Sequence, residues 1–342
     1  MASRRSNRVD RAVKRYAAEL PQVQEATDAW VALVTRLLDD AGINYLSVTG
    51  RAKSVESYAR KASRRDKGRL LYPDPVRDIT DQVGVRVVSF VQADVAAVAD
   101  LLADQLRVLD DRDMGRETAE QGGFGYSSRH LLLAPDPARE GEGPLQGRPA
   151  AVQVRTVLQH AWAEFEHDIR YKGQVPEAHR ADLDRRFTLA AGLLELAGEQ
   201  FQEIRDRLRE EVPGPDEAET DDPRISPQDL AAFLAGQFGD AGWSRTDHYA
   251  WISGLLLELG VTSLAQLREV LRGVDHARLV EQMGYRYPPG AVRRLDDCLL
   301  AEFGQRYVAL HGNAHRRDLL VARLARLSPS AAQGDPDGRR GG

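Results

Sequence analysis

The sequence predicts an α+β domain, a mixed β-sheet flanked by helices, followed by a small all-helical domain. Three observations carry that expectation. Short β-forming runs alternate with helical periodicities between residues 45 and 172, the pattern of a sheet covered by helices. The stretch A-A-V-Q-V-R-T from Ala150 passes without a break from strand alternation into a helical period at Thr156. From residue 213 the run P-G-P-D-E-A-E-T-D-D-P-R holds almost no apolar side chain, which is the composition of a linker. The domains expected are therefore 1–212, a linker at 213–225, a helical domain at 226–327 and a disordered tail at 328–342.

Composition narrows the class. With 342 residues and 42% hydrophobic content the chain can bury two cores. Its formal net charge of -5 gives no global basic field, so any polyanion site has to be local. The single cysteine, Cys298, excludes an internal disulfide framework and a cysteine metal cluster, fits a reducing compartment, and is expected to act as a small buried hydrophobe. The first residues, M-A-S-R-R-S-N-R, lead into charge rather than an apolar run, unlike a secretory signal. No run approaches the roughly 18 apolar residues of a membrane span. A cytoplasmic protein with no membrane partner is expected.

Taken in order, residues 9–40 are helical in pattern, with Pro21 separating two helices. A β-forming run at 45–50 leads into R-A-K-S-V-E-S-Y-A-R-K-A-S-R-R, where Arg51, Lys53, Lys61, Arg64 and Arg65 gather at the start of a helix and along it. Such a cluster is either a solvated basic face or a site for a nucleoside triphosphate, whose charge of about four needs several cations and a helix N-terminus. A guanidinium at Arg51 also stacks well on a purine. Val83, Val85, Val87 and Val88 read as a buried strand with Asp81 at its mouth, placed to bind magnesium or to serve as a turn residue. Asp78 is expected to cap or to form a salt bridge.

A helix at 93–106 and a short strand at 107–113 precede a loop from Met114 to Gly125, with glycines at 122, 123 and 125. Tyr126 at its end offers a ring on which a base stacks, worth roughly 1 to 3 kcal/mol. In the strand from Ala150, the side chains of Ala151, Gln153 and Arg155 share one face. In the helix after it, His160, Glu164, His167 and Tyr171 form one stripe, open to a metal reading for His160 and Glu164 or to packing behind the site. Helical periodicity resumes at 176–211 through Phe187, Leu189, Leu193, Leu194, Leu196, Phe201 and Ile204. In the last domain Ser226-Pro227-Gln228-Asp229 marks a helix start. Further helices are expected at 251–259, 264–271, 292–307 and 319–327, with His311, His315, Arg316 and Arg317 on a polar helix face.

Several of these residues fall at matching spacings: Arg51-x-Lys53, Ser57 and Lys61; Asp81 with Gly84-x-Arg86; Gly125-Tyr126-x-Ser128-x-His130; and Gln153-x-Arg155-Thr156 before a helix with His, Trp, His and Tyr-Lys. In this the chain resembles the synthetase domain of the RelA/SpoT family of alarmone synthetases, over about 9–208. The resemblance implies a nucleotidyltransferase-like α+β fold and transfer of pyrophosphate from ATP to the 3'-hydroxyl of GDP or GTP with Mg2+. It implies Arg51, Lys53, Ser57, Lys61 and Arg86 for ATP, and Tyr126, Ser128, His130 and Gln153 for the guanine nucleotide. Asp81 is implied as the metal ligand, with Asp81, Gln153 and Arg155 as the catalytic set.

Two departures stand out. The family glutamate that helps hold magnesium and deprotonate the acceptor falls on Ala151, and the family lysine before Gly-Tyr is absent, leaving Arg116 as the nearby cation. Glu140 or Glu142 is a candidate to replace the lost carboxylate. A catalytically silent guanine-nucleotide-binding regulator is therefore a second expectation. A toxin-like tRNA 3'-end pyrophosphokinase is a third, without support from the charge. The helices offer a route to homo-oligomers. The His167-Asp168 pair lacks the other ligands of the family's hydrolase site, so no alarmone hydrolase is expected.

Overall fold

A computed structural model describes residues 2–120, 128–135, 143–172, 177–210, 222–239, 241–242, 244–285 and 289–327. The chain divides into two compact units, Met1–Leu208 and Arg209–Gly342.

The first unit opens with one helix, α1 (Ala2–Ala41). Pro21 lies inside it and does not divide it, contrary to the expectation of two helices. The reason is position: Pro21 is on the exposed side, where water can serve the carbonyl that its missing N–H leaves. Tyr16, Val23, Ala26, Trp30, Val34 and Leu38 on the other side are buried and hold the helix to the sheet. That sheet has the order β1-β4-β7-β6-β5, formed by β1 (Ser47–Ala52), β4 (Val83–Ser89), β5 (Arg107–Asp113), β6 (Arg129–Ala134) and β7 (Ala150–Thr156). Only the β4–β7 pair is parallel, so the sheet is mixed, as expected. A small hairpin of β2 (Arg65–Asp66) and β3 (Arg69–Leu70) stands apart from it.

Alternation sorts the two faces. Val85, Val87, Val152, Val154, Leu131 and Leu133 are buried, and α4 (Gln92–Gln105) sends Val95, Val98 and Leu102 into the same core. Gly50 shows how closely α1 lies on β1. A Cβ there would come within 2.6 Å of the γ-methyls of both Thr27 and Val31. The opposite face carries Gly84, Arg86, Ala151 and Gln153, all partly exposed.

The remaining elements of this unit are α2 (Val55–Ala62), α3 (Pro75–Asp78), α5 (Met114–Glu120), α6 (Val157–Lys172) and α7 (Glu177–Glu210). Residues Met114 to Glu120 were expected as loop and form α5 instead. Asp113 explains it, since its Oδ1 accepts from the Arg116 N–H at 3.0 Å and starts the helix. Arg64 and Arg65 lie beyond the end of α2, Arg65 in the hairpin, and not along the helix. Asp78 does cap: its Oδ2 accepts from the Asp74 N–H at 2.7 Å.

The second unit is all-helical: α8 (Pro227–Gln237), α9 (Thr246–Leu259), α10 (Leu264–Arg272), α11 (His276–Met283), α12 (Ala291–Phe303), α13 (Gln305–Val308) and α14 (Arg317–Leu327). Leu230, Leu234, Ile252, Leu256, Leu267, Leu295, Leu299 and Leu320 are buried in one core, with Cys298 at 1% exposure. Ser226 caps α8 by accepting from the Asp229 N–H at 3.0 Å, as its spacing predicts. The helix expected at 292–307 is two, because Gly304 takes φ 51° between α12 and α13. Arg316 is not on a polar helix face. It lies in a 3-10 turn (His311–Arg316), pairs with buried Asp296 at 2.5 Å and sits 4.2 Å from the Trp251 ring centre. Arg323 adds a second guanidinium to Asp296 at 2.9 Å, so the buried carboxylate is neutralised. No single helix among the described residues is long and apolar enough to cross a membrane.

Candidate functional site

Polar side chains gather where β1 runs into α2. Ser54 caps α2 by accepting from the Ser57 N–H, and its hydroxyl donates to Ser57 Oγ at 2.9 Å. Before it, the Lys53 carbonyl accepts from the Tyr16 hydroxyl at 2.6 Å, and the Tyr16 ring stacks on Tyr58 at 4.1 Å. The long helix α1 thus anchors the chain at Lys53. Both Lys53 Nζ (3.1 Å) and Lys61 Nζ (2.8 Å) reach Asp81 Oδ2. The other oxygen, Oδ1, is buried and accepts no hydrogen bond. Burial works against ionisation of Asp81, but the hydrogen bond from Lys61 and the charges of Lys53 and Lys61 outweigh it and hold the carboxyl below its usual value. Arg51, at the end of β1, is exposed.

The open face of the sheet carries a second group. Thr49, Arg86, Gln153, His130 and Arg112 stand in register across the five strands, and side chains directly opposite share a face. The next row holds Arg51, Gly84, Ala151 and Leu132. Ala151 therefore lies on the face of Gln153 and Arg155, as its alternation predicts. Buried Arg155 donates to Gln153 Oε1 at 2.6 Å, and Ser128 Oγ lies 2.9 Å from His130 Nε2. Burial, with the charges of Arg155 and Arg112, lowers the His130 pKa below its usual 6.5, which favours a neutral ring at pH 7.

From α6, Glu164 meets Arg86 at 2.8 Å and His160 at 3.7 Å. Sequence reasoning singled out Glu164 only as part of a stripe and missed this ion pair, since spacing along one helix says nothing of a partner on a strand. The metal reading of the stripe finds no support: among the described residues no group of three or more His, Cys, Asp and Glu is arranged to hold a metal. The start of α6 is fixed by a reciprocal cap, in which Thr156 N donates to Gln159 Oε1 at 2.8 Å and Gln159 N to Thr156 Oγ1 at 3.2 Å. The Thr-x-x-Gln spacing was the available signal. Arg116 is exposed and lies 3.7 Å from Glu120. Tyr126, Glu140 and Glu142, and the side chain of Tyr171, lie outside the described residues.

The arrangement is a pair of lysines around one carboxylate, beside a strand face of Arg, Gln and His, and it suits a phosphorylated ligand. Comparison with known proteins agrees. The family model described as "Region found in RelA / SpoT proteins" matches residues 50–175. GTP pyrophosphokinase YjbM of Bacillus subtilis (strain 168) is 31% identical over 168 residues, spanning 48% of this chain and 73% of that protein. The chain belongs to the RelA/SpoT family. Among solved structures, small alarmone synthetase 1 from Bacillus subtilis aligns with a TM-score of 0.47 at 23% identity, over 57% of this chain and 98% of that one. A GTP pyrophosphokinase family protein from Streptococcus pneumoniae aligns with a TM-score of 0.46 at 25% identity, over 57% and 95%. The matched family region, 50–175, spans every residue that the resemblance singled out.

Proposed function

We propose that the first unit is a GTP pyrophosphokinase-type enzyme, which moves the β,γ-pyrophosphate of ATP onto the 3'-hydroxyl of GDP or GTP. The observation that carries this reading is the convergence of Lys53 and Lys61 on Asp81 beside the N-terminus of α2. Phosphates of ATP would take over the two ammonium groups, with Ser57, Arg51 and Arg86 adding contacts. Tyr126, Ser128, His130 and Gln153 would hold the guanine nucleotide, and Arg155 would keep Gln153 oriented through their hydrogen bond. Asp81 fits a magnesium ion because Oδ1 is buried without a partner. Magnesium is commonly held by one or two carboxylates plus substrate phosphates, and when bound it neutralises phosphate charge.

In this reading the 3'-oxygen forms a bond to the β-phosphorus, the bond from that phosphorus to the α–β bridging oxygen breaks, and AMP leaves. The hydroxyl proton needs an acceptor. Ala151 has a methyl group on the strand face where the family places glutamate, and general-base help is worth roughly 10²- to 10⁴-fold. That single observation favours a second reading, a catalytically silent guanine-nucleotide-binding regulator. Incubation with labelled ATP and GDP, GTP or tRNA, with Mg2+ or Mn2+, followed by product separation, separates the two. A pyrophosphorylated guanine nucleotide supports the enzyme; binding of both nucleotides without product supports the regulator; product only on tRNA overturns the acceptor assignment. Tyr126→Ala is expected to weaken GDP or GTP binding by calorimetry with the fold intact, and unchanged affinity removes Tyr126 from the site.

The cytoplasm, which supplies ATP and guanine nucleotides and suits the free thiol of Cys298, is the compartment this reading requires. Self-association through helices is supported by Leu189, Leu193, Leu196, Phe201 and Ile204 of α7, all exposed by 45% or more. Light scattering of the full chain reads it directly.

A further inference from the structure

Pyrophosphate transfer needs a group that takes the proton of the 3'-hydroxyl, and the open sheet face holds a histidine beside a carboxylate. His160 lies in the first turn of α6 and Glu164 four residues on, so both side chains leave the helix on one side. Glu164 Oε1 meets Arg86 of β4 at 2.8 Å and lies 3.7 Å from His160 Nδ1. Arg86 is paired in register with Gln153, and Ala151 is the next residue of β7 on the same face. The His160–Glu164 pair therefore reaches the row of Gln153, one row from the methyl group of Ala151.

The surroundings of His160 suit a proton acceptor. Burial, with the charges of Arg86 and Arg155, lowers its pKa below the usual 6.5 against the opposing pull of Glu164, so the ring is neutral at pH 7 and one nitrogen can take a proton. Nδ1 is buried and makes no hydrogen bond among the described residues, while 30% of the side chain is exposed. At 3.7 Å Glu164 is too far to accept from Nδ1, because Arg86 holds it. Phosphates that draw Arg86 to themselves release the half-exposed Glu164 carboxylate to close that gap. Other groups on this face are engaged: His130 Nε2 lies 2.9 Å from Ser128 Oγ, Asp81 meets two lysines, and Glu117 meets Arg112 through both oxygens.

We propose that His160 Nε2 accepts the proton of the 3'-hydroxyl and that Glu164 is the positioning residue for it, accepting a hydrogen bond from Nδ1, an assignment that rests on the enzyme reading of the first unit. As the 3'-oxygen bonds to the β-phosphorus, its proton passes to Nε2, and the electron pair of the broken α–β bridge leaves on AMP. The imidazolium, held by Glu164, then returns the proton to water. A base oriented by a carboxylate is the usual way to activate a hydroxyl.

The experiment is steady-state kinetics of the full chain with ATP, GDP and Mg2+. His160→Gln is expected to lower kcat at least about 100-fold, within the roughly 10²- to 10⁴-fold of general-base help, with KM for both nucleotides and the melting temperature little changed. Wild-type kcat is expected to fall as pH drops through the His160 pKa. His160→Gln abolishes that limb, and Glu164→Gln, which removes the charge favouring the imidazolium, moves it to lower pH. Ala151→Glu added to His160→Gln is expected to restore at least about tenfold, because it returns a carboxylate to the face; in the wild type the same substitution acts through magnesium. A His160→Gln protein that keeps kcat within about threefold, or keeps the acid limb, overturns the assignment and leaves the enzyme reading in place. So does a loss of turnover that lowers the melting temperature and that Ala151→Glu does not reverse. A wild type that binds both nucleotides and makes no product overturns the enzyme reading itself, and with it the role of His160.

Discussion

Gly50 is held at its place by contact rather than by backbone conformation, because a Cβ would meet Thr27 and Val31 at 2.6 Å. Gly50→Ala is expected to cost about 1–3 kcal/mol, the usual range for overpacking, read as a lower urea midpoint. Ala151 poses the opposite problem, a small side chain where the family resemblance implies a charged one. Ala151→Glu should add a carboxylate to the open strand face, tighten magnesium and raise pyrophosphate transfer at least tenfold. A wild type with strong turnover that the variant does not improve would show that another group already accepts the proton. Asp81 ties the site to pH. Its folded pKa is lowered, so the stability it contributes is fully present above its usual 3.8 and is lost as pH falls through the lower folded value. The melting temperature of the wild type should exceed that of Asp81→Asn at pH 6, with the gap narrowing below pH 4; a gap independent of pH would remove Asp81 from this role. Motif spacing made Lys53, Lys61 and Asp81 legible together. The Arg86–Glu164 pair was not, since it joins a strand to a helix that no local spacing relates.

At the scale of elements, the passage from β7 into α6 aims Glu164 and His160 at the sheet, and it depends on the Thr156–Gln159 cap. Thr156→Ala should cost about 0.5–2 kcal/mol, as lost caps do, and should loosen the Arg86–Glu164 contact. Urea denaturation reads the first effect and faster amide exchange at the start of α6 the second; an unchanged midpoint would show that β7 alone sets the helix start. Strands and their faces were readable because valines alternate with polar residues along β4 and β7. Element boundaries were less so. Pro21 was read as a break and α5 as a loop because local propensity was weighed without burial on one side of α1 or the Asp113 side chain that caps α5. The helix α11 was not anticipated either, although Asp275 and Gly284 cap its two ends and Leu279 and Met283, four residues apart, bury one face; it is only eight residues long and has no apolar run to draw the eye.

For the whole chain, the decisive property is that each unit has its own core. The second unit gathers Leu234, Leu256, Leu295 and Leu299 around a buried Asp296 that is neutralised by arginines of the same unit. Its core also includes Ile225, whose carbonyl accepts from the Ser253 hydroxyl, so structure begins one residue before the Ser226 cap that the sequence marks. A fragment of residues 222–327 should therefore fold alone and melt in one cooperative transition. Limited proteolysis of the full chain should cut first within 213–224, where prolines and acids leave almost nothing apolar to bury. A fragment that stays unfolded would show that the second unit needs the first for its stability, and a first cleavage inside α7 would count against the boundary.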